Sequence, residues 1–144
     1  LFFNIRLNVG KTELIRAVVE GICFHMRWML ERQELKTTKY QKSKTVRFCG
    51  GGALGETTCQ ILADILQREV VVVESPQNIG AVGAAACIAV GMGAIPSIFD
   101  VKKLIPVKTT YKPNPANKAV YDRNFKVFKN LYKANKENFA ILNG

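Results

Sequence analysis

Three consecutive glycines, Gly50–Gly52, constrain the fold of this chain more than any other feature of its sequence. They lie in the stretch RFCGGGALGETTCQILADIL, residues 47–66, between a short apolar run and a segment with helical periodicity. Glycine loses more backbone freedom on folding than any other residue, so three in a row indicate a geometric requirement. A strand, a glycine turn and a helix in this order bring backbone N–H groups and a helix N-terminus to one point. The stretch predicts a strand-turn-helix unit whose turn is suited to an anion or a flat ligand.

Apolar periodicity predicts an α/β fold for the rest of the chain. Strands are expected over 45–49 and 68–74, and extended segments over 1–9 and 106–113. Helices are expected over 13–34 (capped by Thr12), 55–66, 79–90, 97–104 and 121–142, the last interrupted at Asn135. The polar segment 36–45 is expected to be a solvated loop, and the all-valine run of 70–73 suits a strand covered on both faces.

Small residues predict close packing of two helices. Gly21, in the middle of the first helix, costs about 1 kcal/mol relative to alanine, and we expect the close approach of another backbone to compensate. The helix over 79–90, IGAVGAAACIAV, is expected to lie very close to a sheet, a helix or a ligand. The aromatic seam of the C-terminal helix favours docking across its own domain over a coiled coil, which prefers branched aliphatic residues.

Length and charge restrict the classes of protein and partner. With 144 residues, the chain suits a single domain over residues 1–144. The net charge of +10 favours anionic partners. The positive residues are dispersed, however, with no arginine-rich arm or aromatic platform, so we expect no nucleic-acid site. No apolar run approaches the roughly 18 residues of a membrane-spanning helix, so no membrane partner is expected.

The cysteines predict neither a metal site nor a disulfide framework. Cys23, Cys49, Cys59 and Cys87 are far apart, no C-x-x-C pair occurs, and His25 is the only histidine. All four cysteines lie in apolar runs, where buried free thiols are expected. Together with the lack of a signal peptide, this predicts a reducing, cytoplasmic location.

Two known phosphate-binding patterns fit the glycine turn poorly. GGGALGETT lacks the Lys-Ser/Thr pair of a P-loop. A dinucleotide pattern fits imperfectly through Gly50, Gly52 and Gly55, with Glu74 as the acidic residue about 20 positions further on. A non-catalytic module that binds a nucleotide, a dinucleotide or another protein therefore stays open as an alternative.

Catalytic groups are scarce. The 11 carboxylates show no paired arrangement. The single histidine, His25, lies inside the first predicted helix, and no Ser-His-Asp set can be assembled around it. Asp64 is expected to be a solvated or capping residue rather than a base. No catalytic residue and no metal ligand is therefore predicted in this chain.

Four segments resemble the C-terminal domain of the FGGY carbohydrate kinases, and especially its xylulokinase-like members. They are LIRAVVEGICF (14–24), RFCGGGALGETTCQILADIL (47–66), NIGAVGAAACIAVGMG (78–93) and residues 121–142, in the order and spacing of that family. The resemblance implies a ribonuclease-H-like fold of the sugar kinase/actin/Hsp70 type. Since the chain opens without an initiator methionine, we expect a domain truncated at its N-terminal side.

The resemblance also implies site residues for ATP. Gly51, Gly52 and Ala53 match the family's glycine-glycine-alanine turn against the adenosine and α-phosphate, with Gly50 beside them. Gly55 and Glu56 stand where relatives place a small or polar residue that reaches the nucleotide. Relatives often have serine at the position of Gly55, so a capping hydroxyl is absent here, and Glu56 adds negative charge near the phosphates.

The remaining implications concern activity and partners. The parent enzyme is expected to transfer phosphate from ATP to a hydroxyl of a ketose such as xylulose, or of a polyol. Mg²⁺ is expected to bind mainly through the nucleotide and an N-terminal domain, which also holds the sugar and the catalytic aspartate. We therefore expect this chain to be inactive alone. We also expect it to self-associate as a homo-oligomer through the surface that would contact the N-terminal domain.

Overall fold

The structure is a computed structural model that describes residues 1–36 and 43–143. Its helices and strands are α1 (Lys11–Lys36), β1 (Thr45–Phe48), α2 (Glu56–Leu66), β2 (Glu69–Val73), α3 (Ile79–Gly91), β3 (Val107–Tyr111), α4 (Lys118–Ala134) and α5 (Lys136–Asn143). Short 3₁₀ turns cover Gly51–Leu54, Pro76–Asn78, Ile98–Lys103 and Pro115–Asn117. Most of the loop predicted over 36–45 lies outside the described residues. Among the helices described, none is long and apolar enough to cross a membrane.

The three strands form one mixed sheet in the order β1-β2-β3. β1 and β2 are parallel, with Phe48 opposite Val72, whereas β3 pairs antiparallel to β2, with Thr109 opposite Val72. The α/β prediction is confirmed, and α2 is the crossover that a parallel pair requires. The carboxyl ends of β1 and β2 consequently meet at one edge of the sheet. The prediction that β2 is covered on both faces is only partly right, because Val71 is half-exposed.

The hydrophobic core forms around α2, which packs against the sheet and against α1 and α4. Leu62 and Ile65 of α2 and Val70 of β2 are almost completely buried. The C-terminal helix docks across α1 through aromatic rings, with centroid distances of 6.0 Å between Phe24 and Phe125. The predicted docked helix is thus confirmed. So is its interruption at Asn135, since α4 ends at Ala134 and α5 begins at Lys136.

Two predictions at the N-terminus are wrong. Residues 1–9 are not extended throughout, because Asn4 has a φ of 60° and residues 7–8 form a turn, and their apolar side chains are largely exposed. Thr12 does not cap the first helix, because α1 already begins at Lys11. The carboxylate of Glu13 accepts a hydrogen bond from the Gly10 N–H at 3.1 Å, and this acidic group in the first turn takes the place of the hydroxyl cap.

The described residues do not pack closely against the helical glycines, so the predicted backbone contact at Gly21 is wrong, and for α3 only the predicted approach of a ligand stays open. A Cβ added at Gly21, or at Gly80 or Gly83 of α3, would meet no described atom within 4 Å. Of all the residues of α3, only Ala86 is buried. The helix packs mainly against the 3₁₀ turns that precede and follow it. Within the described residues, the small side chains of α3 therefore line an open surface.

Asp64 is buried rather than solvated. Its carboxylate accepts hydrogen bonds from the Asn114 backbone N–H at 2.8 Å, the Asn117 side-chain amide at 2.7 Å and the Gln60 side-chain amide at 2.8 Å. Only 5% of the residue is exposed. Because its acceptor atoms are occupied by the turn that leads into α4, Asp64 serves to attach that turn to α2.

The prediction that all four thiols are buried holds for only two of them. Cys23 and Cys59 are buried, whereas Cys49 and Cys87 are exposed, and all four are free. Cys49 follows Phe48 at the end of β1, and successive side chains of a strand point to opposite faces. Since the ring of Phe48 packs against the core, Cys49 is directed away from it. Cys87 lies on the open surface of α3.

Candidate functional site

The glycine turn connects the end of β1 to the start of α2. Gly50 has φ of 90° and ψ of −178°, a conformation that side-chain-bearing residues rarely adopt. Its N–H donates to the carbonyl of Pro76 at 2.8 Å, and its carbonyl accepts from the N–H of Ala53 at 3.1 Å. Gly50 thus closes the turn and joins it to the loop that follows β2.

The next three residues divide between an exposed and a buried side. Gly51 and Gly52 are exposed, whereas Ala53 is only 5% exposed and belongs to the core. A Cβ at Gly51 would meet nothing within 4 Å, but one at Gly52 would lie 3.1 Å from the ring of Phe48. The turn therefore presents bare backbone outwards while Ala53 holds it to the protein.

A buried thiol supports the turn from below. Cys59 is completely buried, and its Sγ donates to the carbonyl of Ala53 at 3.5 Å. Burial raises the pKa of the Cys59 thiol, which favours the protonated form that can donate. Ala53 is therefore held both by its packing and through its carbonyl.

The helices at this edge begin without side-chain caps. Neither Gly50, before the 3₁₀ turn, nor Gly55, before α2, supplies a capping hydrogen bond. The first N–H groups of a helix have no acceptors within it, and the N-terminal end of the helix dipole favours negative charge. The absence of a hydroxyl cap at Gly55 agrees with the sequence analysis. These backbone donors are available to an anion.

The loop after β2 forms the other side of the site. Pro76 is buried, and Ser75 is exposed with φ of 46°, a left-handed conformation that is uncommon outside glycine. Asn78 precedes α3 but does not cap it, although Ser97 and Asn114 cap their own turns elsewhere. None of the residues of this loop is predicted as a site residue from the sequence. The Ser-Pro pair, a turn signal directly after the valine strand, would have indicated them.

The five predicted site residues are brought together. Gly50, Gly51, Gly52 and Ala53 make the turn, and Glu56 is the exposed first residue of α2. All lie where the parallel strands end, the edge at which open α/β sheets usually bind ligands.

The dinucleotide pattern does not fit this geometry. In that pattern the third glycine allows the helix to pack closely on the strand. A Cβ at Gly55 would instead meet the side chain of Thr58, in the first turn of α2, at 3.2 Å and the carbonyl of Gly52 at 3.9 Å. Glu74 does lie just after β2, exposed, where the acidic residue would be expected. Gly55 therefore lacks the packing role of the third glycine, although the acidic residue of the pattern is in place.

The described residues of the site offer binding groups rather than a catalytic set. No three His, Cys, Asp or Glu side chains within the described ranges converge in a way that could hold a metal ion. His25 lies exposed on α1, and Asp64 is occupied by its three donors. What the edge supplies is backbone N–H groups, a helix N-terminus and the carboxylate of Glu56.

Comparison with protein families and characterised relatives agrees with the sequence resemblance. Residues 1–92 match the model of the FGGY family of carbohydrate kinases, C-terminal domain. The xylulose kinase of Lactococcus lactis is 31% identical over 138 residues, which cover 94% of this chain and 27% of that protein. The autoinducer-2 kinase of Salmonella typhimurium is 32% identical over 128 residues, covering 85% of this chain and 23% of that protein. The chain thus spans about a quarter of the length of these relatives.

Solved structures share the fold. The xylulose kinase of Rhodospirillum rubrum superposes with a TM-score of 0.77 at 27% identity, covering 97% of this chain and 28% of that one. A xylulose kinase of Lactobacillus acidophilus gives a TM-score of 0.80 at 20% identity, covering 99% of this chain and 28% of that one. The predicted ribonuclease-H-like fold of the sugar kinase type is confirmed.

Proposed function

This chain belongs to the FGGY family of carbohydrate kinases, and we propose that it forms the part of such an enzyme that binds ATP. The observation that most supports this role is the bare, outward-facing backbone of Gly51 and Gly52. It lies beside the uncapped start of α2, at the edge where β1 and β2 both end. Successive exposed backbone N–H groups in a turn of this kind bind phosphate.

The contacts of the turn support a separate proposed role for each residue in nucleotide binding. Gly50 fixes the turn through its bond to Pro76, and Ala53 holds it to the core. Gly51 and Gly52 then face the α-phosphate and adenosine with no Cβ in the way. Mg²⁺ usually binds through one or two carboxylates plus substrate phosphates, so the nucleotide itself would bring most of its ligands.

We also propose that the acceptor is a hydroxyl of a ketose such as xylulose, or of a polyol. The names of the relatives, which include xylulose, autoinducer-2 and gluconate kinases, support a small sugar-like substrate. Phosphoryl transfer needs a positioned hydroxyl and a metal-bound γ-phosphate in line. The chain spans about a quarter of the length of its relatives, and the resemblance places the catalytic aspartate and the sugar in an N-terminal domain, so the 144-residue chain should show no sugar-dependent ATP turnover. A coupled assay with xylulose that exceeded background would contradict this.

The binding role is tested by titrating the chain with ADP by calorimetry, comparing wild type with Gly51→Val. The added Cβ meets no described atom within 4 Å, so we expect the variant to fold normally yet cover the exposed backbone. We expect a loss of affinity of at least about tenfold, the equivalent of one good hydrogen bond to a charged group. Gly52→Val is less suitable, because its side chain would also displace Phe48.

Gly21→Val is the matched control, since it adds the same side chain at another open glycine, in the middle of α1. It should bind ADP like the wild type. Equal affinities of Gly51→Val and the wild type would mean that the turn is structural only. Saturable binding of NAD without binding of ADP would favour the alternative of a dinucleotide module.

A further inference from the structure

Glu56 has a position that the phosphate contacts alone do not explain. It is the first residue of α2, four residues after Gly52, and it is exposed. In the part of the chain that the structure describes, no cation or hydrogen-bond donor engages its carboxylate. An acidic residue here stabilises the helix through the dipole, but it also occupies the end of the helix that attracts phosphate.

The charge of Glu56 determines which part of a nucleotide can lie beside it. Two like charges about 4 Å apart repel by about 1 kcal/mol even in water, so a phosphate group is disfavoured there. An ionised carboxylate only accepts hydrogen bonds, so it pairs with groups that carry donors. In a nucleotide whose α-phosphate faces Gly51 and Gly52, the nearest donors are the 2′- and 3′-hydroxyls of the ribose. The 6-amino group lies beyond the whole purine ring.

We propose that Glu56 accepts hydrogen bonds from the ribose hydroxyls and makes this site selective for ribonucleotides. The inference rests on the proposed function, because it takes the α-phosphate to lie at the glycine turn. It gives the nucleotide a direction along the site, with phosphates at the turn and sugar at the start of α2. A site that hydrogen-bonds a substrate hydroxyl discriminates against analogues without it.

The test measures the affinity of the full chain for ATP, 2′-deoxy-ATP, 3′-deoxy-ATP and ITP. The wild type should bind at least one deoxy analogue about tenfold more weakly than ATP, as expected for the loss of a hydrogen bond to a charged group. ITP, which lacks the 6-amino group, should bind with the affinity of ATP. Glu56→Ala should bind ATP and both deoxy analogues equally, whereas Glu56→Gln, which keeps an acceptor oxygen, should retain part of the discrimination.

Glu137→Ala is the matched control, because Glu137 is an exposed acidic residue in the first turn of α5. It loses the same helix-dipole interaction and should keep full discrimination. Equal affinity of the wild type for ATP and both deoxy analogues would overturn the role of Glu56 while leaving ATP binding intact. The role of Glu56 would also be overturned if Glu56→Ala still bound the deoxy analogues more weakly than ATP. The same holds if the wild type bound only ITP more weakly than ATP. A wild type that binds none of these nucleotides would instead overturn the proposed function, and with it this inference.

Discussion

At the scale of single residues, the three glycines of the turn differ in what the structure demands of them. Gly50 has a backbone conformation with φ of 90°. A Cβ at Gly52 would lie 3.1 Å from the ring of Phe48, so the ring would have to shift slightly. Gly51 has neither constraint, so the structure gives no internal reason for a glycine there. Its reason is best sought in a ligand that approaches the backbone, which is why Gly51 is the most informative position for binding.

Stability measurements separate these reasons from ordinary helix propensity. Gly50→Ala should destabilise the fold by about 1 kcal/mol or more, because alanine does not readily adopt its positive φ. Gly21→Ala should stabilise it by about 0.5–1 kcal/mol, since nothing lies within 4 Å of the added Cβ in the middle of α1. Urea denaturation of both variants measures whether the free energy of unfolding falls for Gly50→Ala and rises for Gly21→Ala. If Gly21→Ala were destabilised instead, the result would support the close approach of another backbone at Gly21.

At the scale of elements, the docking of α4 depends on Arg27 as well as on aromatic packing. The guanidinium of Arg27 donates to the carbonyl of Ile65 at 3.1 Å and pairs with Asp122 at 2.8 Å. It also lies 4.3 Å from the centre of the Phe125 ring. One side chain of α1 thereby contacts the end of α2 and the face of α4. The aromatic seam sets which faces meet, and Arg27 joins the three helices at one point.

The ion pairs of Asp122 predict how this docking depends on pH. A hydrogen bond from Lys118, and then those from Arg27, lower the pKa of the Asp122 carboxyl below its usual range. A lowered folded pKa adds stability above the unfolded value of about 3.9, which is lost as the pH falls through the folded value. The wild type should therefore be more stable than Asp122→Asn at pH 7, and the difference should shrink below about pH 4. Asp100→Asn is the control, because Asp100 forms an exposed ion pair with Lys103.

Much of the element order was predictable, because helices and strands leave periodic patterns in the sequence. The strands, the glycine turn, α2 and the break at Asn135 all followed from local residue types. The roles of Arg27 and Asp64 could not be predicted, since each depends on partners that are distant along the chain. The same applies to the exposure of Cys49. Local patterns identified the turn, but they could not show that Gly51 is open and Gly52 is not.

At the scale of the whole molecule, the apolar surface is unevenly covered. Side chains of the core are buried around α2, yet large apolar residues are exposed on α1, α3 and the first seven residues, among them Leu7, Ile22, Val82 and Ile88. Contiguous exposed apolar surface usually marks an interaction site. Self-association of the chain stays a prediction, and a monomer in sedimentation at high concentration would contradict it.

The burial of the thiols gives a simple test of the global packing. Cys49 and Cys87 are exposed and should react quickly with a thiol reagent, whereas Cys23 and Cys59 should not. Burial also raises the pKa of the Cys23 thiol to about 11, so little reactive thiolate is present at neutral pH. We expect two fast equivalents per chain in buffer and four after denaturation. Four fast equivalents in buffer would mean that α1 and α2 do not pack as described.

The measurement that tests the central claim most directly is the response of individual backbone amides to ADP. In ¹⁵N-labelled chain, the amide resonances of Gly51 and Gly52 should shift saturably as ADP is added, because their N–H groups donate to its phosphate. Adenosine, which lacks phosphate, should move them much less, and the amide of Gly21 in α1 should serve as an unmoved reference. Saturable binding of ADP that leaves Gly51 and Gly52 unshifted, or no binding at all, would contradict the assignment of this turn to the nucleotide.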